Sequence, residues 1–281
     1  MDVYLNGEFM PEEEASVSVF DRGFLYGDGA FETLRIYNGK PFLLERHIGR
    51  LGHSLGSLHI PEAYDFGDYV KAANELIRRN EITDGILRIQ VTRGTGKRGY
   101  STAGNYHPTL LISLTAAPPI DDSPPAPVKL ITATSVLADH DPFSTLKTTN
   151  KLVNIIAMRE AETAGADDAL LLNQAGQLTE TTSSNLFLIL NDTLHTPPLS
   201  SGCLAGITRT FLLELAAAQS IPVTQDQLTP QHLPEAQGIF LTNSVRELQP
   251  VDTLDGQPIP QSPITEKLHQ AYRHQVRKQT Q

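Results

Sequence analysis

Apolar and polar positions alternate with two different periods along the first third of the chain, and these periods predict strands and helices in turn. Helical spacing of apolar residues, every three or four positions, occupies two segments: 44–58 and 64–80. Strand-type alternation or β-rich composition marks four others: 3–5, 30–37, 86–92 and 109–115. Asn-Gly pairs at 6–7 and 38–39 predict tight hairpin turns.

A proline-rich stretch divides the pattern in two. Five prolines lie between Ala116 and Val128, too many for a helix or a central strand. We therefore expect a first domain at 1–117, a linker at 118–128 and a second domain at 129–281. In the second half the predicted strands are 129–135, 169–172, 185–190 and 238–242, and the predicted helices are 150–164, ending at Gly165, and 208–220. This order predicts a two-domain α+β fold with mixed sheets.

Composition narrows the class of protein. The 281 residues carry a net charge of −10 without a basic block, which argues against a nucleic-acid partner. A single cysteine, Cys203, excludes an internal disulfide framework and fits a reducing compartment. No apolar run reaches the roughly 18 residues of a membrane span. The first residues lack the basic segment of a signal peptide, so we expect a soluble, cytoplasmic protein.

The candidate chemistry centres on a lysine and a glutamate. Lys147 follows a proline-broken loop, and Glu180 lies 33 residues later in a stretch rich in hydroxyl side chains. An amine that forms a Schiff base and an acid that keeps a pyridine nitrogen protonated are what pyridoxal phosphate requires of a protein. A nearby second lysine, Lys151, falls inside a predicted helix, and we interpret it as a surface residue.

Three places could bind the phosphate of that cofactor. Residues 206–208 begin a predicted helix and supply amides and a hydroxyl; residues 242–244 end a strand in small polar side chains; Arg50 follows His47 by one helical turn. Taken singly, each has an ordinary structural explanation, such as a helix cap or a solvated helix face. Their occurrence together with Lys147 and Glu180 predicts a cofactor site.

These motifs together resemble the fold-type IV, or class IV, pyridoxal-phosphate enzymes. That family includes branched-chain and D-amino-acid aminotransferases and 4-amino-4-deoxychorismate lyase. The resemblance implies a small N-terminal α/β domain, a larger C-terminal mixed α/β domain with a β-barrel-like sheet, and a homodimer. The matching elements are Asp21-Arg22-Gly23, Gly27-Asp28-Gly29, Phe42, His47-x-x-Arg50-Leu51, Lys147, 180–187, Gly206-Ile207-Thr208-Arg209 and Thr242-Asn243-Ser244.

The resemblance also implies individual roles. Lys147 would form the internal aldimine and move the proton of the substrate α-carbon, while Glu180 would pair with the pyridine nitrogen. The other cofactor-binding residues would be Arg50, Ser184, Asn185, Gly206, Ile207, Thr208, Asn243 and Ser244. No metal site is expected, because the nine histidines include no His-x-x-x-His pair and one cysteine cannot build a thiolate site.

Two features favour the lyase within this family. Residues 93–101 resemble the lyase loop Arg-Gly-x-Gly-x-Arg-Gly-Tyr, in which Arg98 and Tyr100 could bind a substrate carboxylate, at the neighbouring subunit's site in related dimers. The alternative is a hairpin whose cations face water. Thr33 stands beside Phe31, a candidate substrate contact, where the lyases carry a catalytic threonine; a threonine is also an ordinary strand residue.

The preferred prediction is therefore β-elimination of aminodeoxychorismate to 4-aminobenzoate and pyruvate, a step of folate biosynthesis. The alternative is an aminotransferase acting on D-amino or branched-chain amino acids and a 2-oxo acid. Residues 147–152 follow the lyase spacing, but Thr148-Thr149 departs from the His-Leu of well-matched lyases. A remote alternative, a binding module without catalysis, would predict the loss of Lys147 or Glu180, and both are present.

Overall fold

The computed structural model describes residues 1–104, 106–138 and 141–281. The chain divides into two compact units, and each is described by itself. The first comprises Met1–Ile120, Leu146–Asn150 and Val276–Gln281, and the second comprises Asp121–Thr145 and Lys151–Gln275. The division at residue 120 falls inside the stretch predicted as a linker. The segment carrying Lys147 belongs to the first unit, although its position in the sequence assigned it to the second predicted domain.

The first unit is built on a six-stranded antiparallel sheet with the order β2-β1-β6-β5-β3-β4. Its strands are β1 (Asp2–Leu5), β2 (Glu8–Pro11), β3 (Gly29–Tyr37), β4 (Lys40–Pro41), β5 (Gly85–Thr92) and β6 (Thr109–Ala116). Its helices are α1 (Arg22–Tyr26), α2 (Leu44–Ser57) and α3 (Phe66–Arg79).

Both predicted hairpin turns are confirmed. Asn6 and Gly7 have φ values of 50° and 103°, and Asn38 and Gly39 have φ values of 49° and 75°. Two successive residues with positive φ are what the favoured two-residue hairpin requires, since the twist of such a turn matches that of the strands. Each turn joins a strand to its antiparallel neighbour, β1 to β2 and β3 to β4.

One face of this sheet is covered by α2 and α3. Alternate residues of β3 and β5, such as Leu34, Leu87 and Ile89, are fully buried and join Leu51 of α2 and Leu76 of α3 in one apolar cluster. The two helices confirm the predictions from apolar spacing. The second begins at residue 66 rather than 64, because the Asp65 carboxylate caps its first turn.

The second unit contains a nine-stranded sheet of mixed direction. Its strands are β7 (Val128–Leu137), β8 (Asp168–Asn173), β9 (Leu178–Thr181), β10 (Asn185–Leu190), β11 (Thr193–Thr196), β12 (Val223–Gln225), β13 (Gly238–Asn243), β14 (Glu247–Leu254) and β15 (Gln257–Pro258). Its helices are α4 (Leu152–Ala164), α5 (Ile207–Ala218), most of α6 (Pro263–Thr280) and two short 3₁₀ turns (Leu199–Ser201 and Pro230–Glu235).

Strand pairing closes part of this sheet. The order is β12-β11-β10-β13-β14-β7-β8-β9, and β9 pairs both with β8 and with β10. The six strands from β10 to β9 therefore form a ring, as the barrel-like prediction required. Every residue of β10 is buried, and the rings of Phe187 and Phe240 stack in parallel, 5.0 Å apart. The mixed α/β fold class is confirmed.

The C-terminal end of α4 follows its glycine signal. Gly165 has a φ of 71° and ends α4 in the left-handed conformation, as predicted. The prediction began this helix at residue 150, whereas it begins at Leu152, because Thr149 and Asn150 bond to the backbone of the first unit's Gly27 and so belong to that unit. Within the described residues, no helix combines the length and apolarity needed to cross a membrane.

Candidate active site

Lys147 is held beside strand β3 by backbone hydrogen bonds. The amide of Phe31 donates to the Lys147 carbonyl at 2.9 Å, and the amide of Thr149 donates to the Gly29 carbonyl at 3.0 Å. The Lys147 ammonium lies 4.7 Å from the centroid of the Phe31 ring. The lysine is half-buried, so its amine is fixed against an apolar surface while remaining accessible to a small molecule.

A buried carboxylate organises the other face of β3. Glu32, fully buried, accepts hydrogen bonds from Arg50 Nε and Nη2, each at 2.7 Å, and lies 2.6 Å from His47 Nδ1. Burial alone would raise the pKa of Glu32, but the bonds from Arg50 and His47 outweigh it and lower that pKa to about 2. Burial lowers the pKa of His47, and the charges of Arg50 and Lys147 lower it further, against the opposing effect of Glu32.

Strand pairing assembles a second group of side chains around Phe31. In the register of β3 and β5, Phe31 lies opposite Gln90 and Thr33 lies opposite Arg88, so these four side chains share one face of the sheet. The Arg88 guanidinium stacks 4.0 Å from the centroid of the Phe31 ring and donates to Gln90 Oε1 at 2.8 Å. Phe31 thus contacts both the Lys147 amine and the Arg88 guanidinium.

Arg88 is the functional candidate that the sequence reasoning missed. It is half-buried, and this burial lowers its pKa. Across residues 1–104, 106–138 and 141–281, no carboxylate lies within ion-pair distance of it. A partly desolvated guanidinium without a counter-charge favours a carboxylate ligand. The alternation of β5 could have shown that Arg88 faces away from the core, but not which residues lie beside it.

A cavity of about 460 Å³ opens next to Arg88 within the first unit. Its lining comes from β5, β6, the lysine segment and the stretch 17–24. Its polar lining residues are Ser18, Asp21, Arg88, Gln90, Thr92, Thr109 and Thr149. The cavity therefore offers hydrogen-bonding groups, one cation (Arg88) and one carboxylate (Asp21) to a polar ligand of modest size.

The glycine loop 93–101 presents its charged and aromatic side chains to solvent. Arg98 is exposed, and within the described part of the chain its side chain makes no ion pair or hydrogen bond. Tyr100 is 87% exposed and lies 5.6 Å from the ring of Tyr26. Both residues are therefore accessible, as a substrate contact requires. Their predicted role in carboxylate binding stays a prediction.

In the second unit, Glu180 lies at the junction of β9 and β10. It pairs with Asn185 in the strand register, and its Oε2 accepts the amide of Leu204 at 2.8 Å. Asn185 in turn donates to the Leu204 carbonyl at 2.8 Å, and Asn243 donates to the Ser184 hydroxyl at 2.9 Å. The predicted residues of this group are thus brought together at one end of the ring of strands.

The start of helix α5 completes that group. A Cβ at Gly206 would lie 1.9 Å from Asn185 Oδ1, so a larger residue at this cap position would displace the Asn185 side chain. The first turn of α5 contains Ile207 and Thr208, and the Thr208 hydroxyl lies 3.2 Å from the Ser244 hydroxyl. A helix N-terminus with two adjacent hydroxyls is a suitable donor set for a phosphate dianion. The residues present therefore fit the phosphate of the predicted cofactor.

Comparison with known proteins gives matches over most of the chain. Residues 29–254 match the family model for amino-transferase class IV. A putative branched-chain-amino-acid aminotransferase of Methanocaldococcus jannaschii is 36% identical, over 97% of this chain and 96% of that protein. A D-alanine aminotransferase of Bacillus licheniformis is 30% identical, over 100% of this chain and 99% of that protein.

A solved structure extends the likeness to the fold. The 4-amino-4-deoxychorismate lyase of Pseudomonas aeruginosa has a TM-score of 0.85 at 32% identity, over 98% of each chain. A family match over most of the chain and relatives of this identity establish the family and its cofactor, pyridoxal phosphate. The chain belongs to the class IV aminotransferases and is a pyridoxal-phosphate-dependent enzyme of fold type IV.

Proposed function

We propose that this enzyme transfers an amino group between an amino acid and a 2-oxo acid, and that at least one of its substrates is a dicarboxylate. The observation that carries the proposal is the Phe31 ring, which contacts the Lys147 amine at 4.7 Å and the Arg88 guanidinium at 4.0 Å. A substrate with its amino group near Lys147 finds in Arg88 a cation for a carboxylate. Recognition of a carboxylate by a planar guanidinium is geometrically specific.

The cofactor-binding roles form the second part of the proposal. Lys147 supplies the amine that holds pyridoxal phosphate covalently and then carries the proton of the substrate α-carbon. The Glu180 carboxylate keeps the ring nitrogen protonated, and Arg50, Thr208 and Ser244 bind the phosphate together with the first amides of α5. When bound, the cofactor supplies an electron sink for the carbanion.

Curated relatives support transamination. The relatives from M. jannaschii and B. licheniformis carry the names of a branched-chain and a D-alanine aminotransferase, and the chain covers nearly all of each. One name specifies branched-chain amino acids and the other specifies D-alanine, so both L- and D-substrates belong in an assay. We also infer a homodimer from the family resemblance, which size-exclusion chromatography with light scattering would test.

The second candidate is the aminodeoxychorismate lyase. Thr33 lies directly opposite Arg88 in the strand register, on the same face as Phe31. A hydroxyl at this position could return a proton to the departing group during β-elimination. Aminodeoxychorismate carries two carboxylates, so Arg88 is compatible with this reaction as well. The two candidates differ in their products.

The experiment begins with the purified protein loaded with pyridoxal phosphate. We expect a visible absorbance band of the lysine-bound cofactor, and its loss in Lys147→Ala. Separate incubations with L-glutamate, L-leucine and D-alanine, each with a 2-oxo acid, should form a new keto acid. Release of 4-aminobenzoate and pyruvate from aminodeoxychorismate without an acceptor would instead establish the lyase. Formation of neither product set would overturn the proposal.

Arg88 provides the sharper test of the dicarboxylate. In Arg88→Gln, KM for 2-oxoglutarate should rise about tenfold or more, since a charge-assisted pair is lost. KM for pyruvate, which has a single carboxylate, should change little. Arg46→Gln, an exposed substitution on α2, is the control. Equal effects of Arg88→Gln on both oxo acids would refute the assignment.

A further inference from the structure

A buried arginine lies beneath the exposed glycine loop. Arg22 in α1 is only 3% exposed. Its Nη1 donates to the carbonyl oxygen of Gly99 at 2.8 Å and, over a longer distance of 3.4 Å, to that of Lys97. These two carbonyls belong to the residues on either side of Arg98. The buried Arg22 side chain thus bonds to the backbone on both sides of the exposed Arg98.

Tyr26, four residues after Arg22, contacts the same backbone. The Gly99 amide donates to the Tyr26 hydroxyl at 3.0 Å, and the rings of Tyr26 and Tyr100 lie 5.6 Å apart. The Arg22 guanidinium is itself 5.0 Å from the centroid of the Tyr26 ring. Together, Arg22 and Tyr26 bond to the three successive peptide groups from Lys97 to Tyr100.

Asp28 anchors this arrangement to the rest of the first unit. Its Oδ2 accepts from Arg22 Nε and from Arg93 Nε, each at 2.8 Å. Arg93, 4% exposed, also donates to the carbonyls of Leu58 and His59, just beyond the end of α2. Burial alone would raise the pKa of Asp28, but the bonds from Arg93 and Arg22 outweigh it and lower that pKa. The carboxylate therefore stays ionised and holds both arginines in place.

A fixed backbone matters for an exposed arginine. Ordering a long, rotamer-rich side chain upon binding costs conformational entropy, and a mobile backbone adds to that cost. Here the peptide groups around Arg98 are already ordered by bonds to residues on α1. Preorganisation of this kind favours ligand binding, since less freedom remains to be lost.

We propose that Arg22 and Tyr26 are positioning residues that orient Arg98 toward the carboxylate of the substrate. The inference rests on the prediction, made from the family resemblance, that Arg98 binds a substrate carboxylate. It assigns a role to the Asp-Arg-Gly and Gly-Asp-Gly motifs, which are not among the residues predicted to bind the cofactor. Neither Arg22 nor Tyr26 needs to touch the substrate for this effect.

The test measures binding rather than turnover. Calorimetry with glutarate, a dicarboxylate that has no amino or keto group to react, gives a dissociation constant for the cofactor-loaded enzyme. Tyr26→Phe removes a single hydroxyl and keeps the ring beside Tyr100, so it is preferred to substitutions of the buried Arg22. We expect Tyr26→Phe to weaken glutarate binding about threefold and Arg98→Ala to weaken it about tenfold. The double variant should bind no more weakly than Arg98→Ala.

The outcomes separate this inference from the proposed function. If Tyr26 affects glutarate binding independently of Arg98, its effect will multiply with that of Arg98→Ala in the double variant, and the inference fails. It also fails if Arg98→Ala or Tyr26→Phe leaves the dissociation constant unchanged. Keto-acid formation is scored in separate assays, so a failure of transamination is seen independently of these constants. Arg22→Lys keeps the positive charge near Asp28 but loses the guanidinium N–H groups that bond to the loop carbonyls. It should weaken glutarate binding at least as much as Tyr26→Phe.

Discussion

Two carboxylates of the first unit each hold two basic side chains, yet their surroundings differ. Glu32 lies under α2 with no exposure and bonds to both Arg50 and His47. The Asp28 side chain retains 14% of its exposure and links Arg22 to Arg93 at the base of a surface loop. One cluster therefore stabilises the core beside a predicted phosphate ligand, whereas the other orders a loop that carries a predicted substrate ligand.

A carboxylate that binds two basic side chains can thus stabilise a core or order a surface loop. A carboxylate without exposure to water fixes its partners rigidly, and removing it leaves a charge in a dry environment. A carboxylate that water partly reaches can lose one partner at a lower cost in folding free energy, because water solvates the groups that are freed. We therefore expect substitutions of Glu32 to affect stability and cofactor binding, and substitutions of Asp28 to affect mainly substrate binding.

The largest effect is expected for Glu32→Gln. The amide nitrogen places a donor against the donors of Arg50 and leaves that guanidinium without a counter-charge. Breaking a buried ion pair in this way costs about 3–5 kcal/mol, which urea unfolding of the cofactor-free protein would measure. The dissociation constant of pyridoxal phosphate should also rise, by about tenfold or more. Unchanged unfolding and unchanged cofactor affinity would show that the Glu32 cluster is dispensable.

The pH dependence of stability tests the same cluster without a substitution. The pKa of Glu32 is lowered from 4.5 to about 2 in the folded protein. Its contribution is therefore complete above pH 4.5 and is lost as the pH falls toward 2. At about 1.4 kcal/mol for each pH unit, this contribution is about 3 kcal/mol. Unfolding free energies at pH 6, 4.5 and 3 should fall less steeply in Glu32→Gln than in the unsubstituted protein.

A smaller effect on stability is expected for Asp28→Asn. Loss of charge-assisted bonds to Arg22 and Arg93 should cost about 2 kcal/mol, because the side chain is partly reached by water. Glutarate binding should weaken, while the affinity for pyridoxal phosphate should stay within about twofold of its original value. A loss of cofactor affinity as large as in Glu32→Gln would erase the distinction between the two clusters.

The smallest effect is expected for an ion pair outside both clusters. Arg78, on the exposed face of α3, donates to Glu75 at 2.8 and 2.7 Å. Water and salt screen such a pair, so its geometry overstates its energy. Arg78→Gln should leave the urea midpoint, cofactor affinity and glutarate affinity unchanged. A measurable shift would mean that the assays respond to surface charge in general.

Sequence reasoning anticipated the elements whose signals are local. The periodicity of residues 44–58 predicted α2 to within one residue, since a helix depends on contacts three and four positions apart. The Asn-Gly turns were predicted because their conformation depends on two adjacent residues. By contrast, α6 and β14 were not predicted from the sequence.

The site was predictable only where residue types alone carry the chemistry. Lys147, Glu180 and the 206–208 and 242–244 motifs stand out because few other functions need that combination. Arg88 was missed because its partner Phe31 is 57 residues away and is brought beside it only by the register of β3 and β5. In the alternation of β3, Glu32 is a charge on the apolar face, and only α2 supplies the partners that allow its burial.

By itself the sequence determined the family, the cofactor and the identities of the groups that can bind it, because these depend on residue type and spacing. Only the tertiary structure decided what those groups touch. It placed Phe31 against Lys147 and Arg88, paired Glu32 with Arg50, and laid Arg22 beneath the loop of Arg98. Such contacts join residues distant in the chain, and their strength depends on burial and geometry, which exist only once the sheet and helices have packed together.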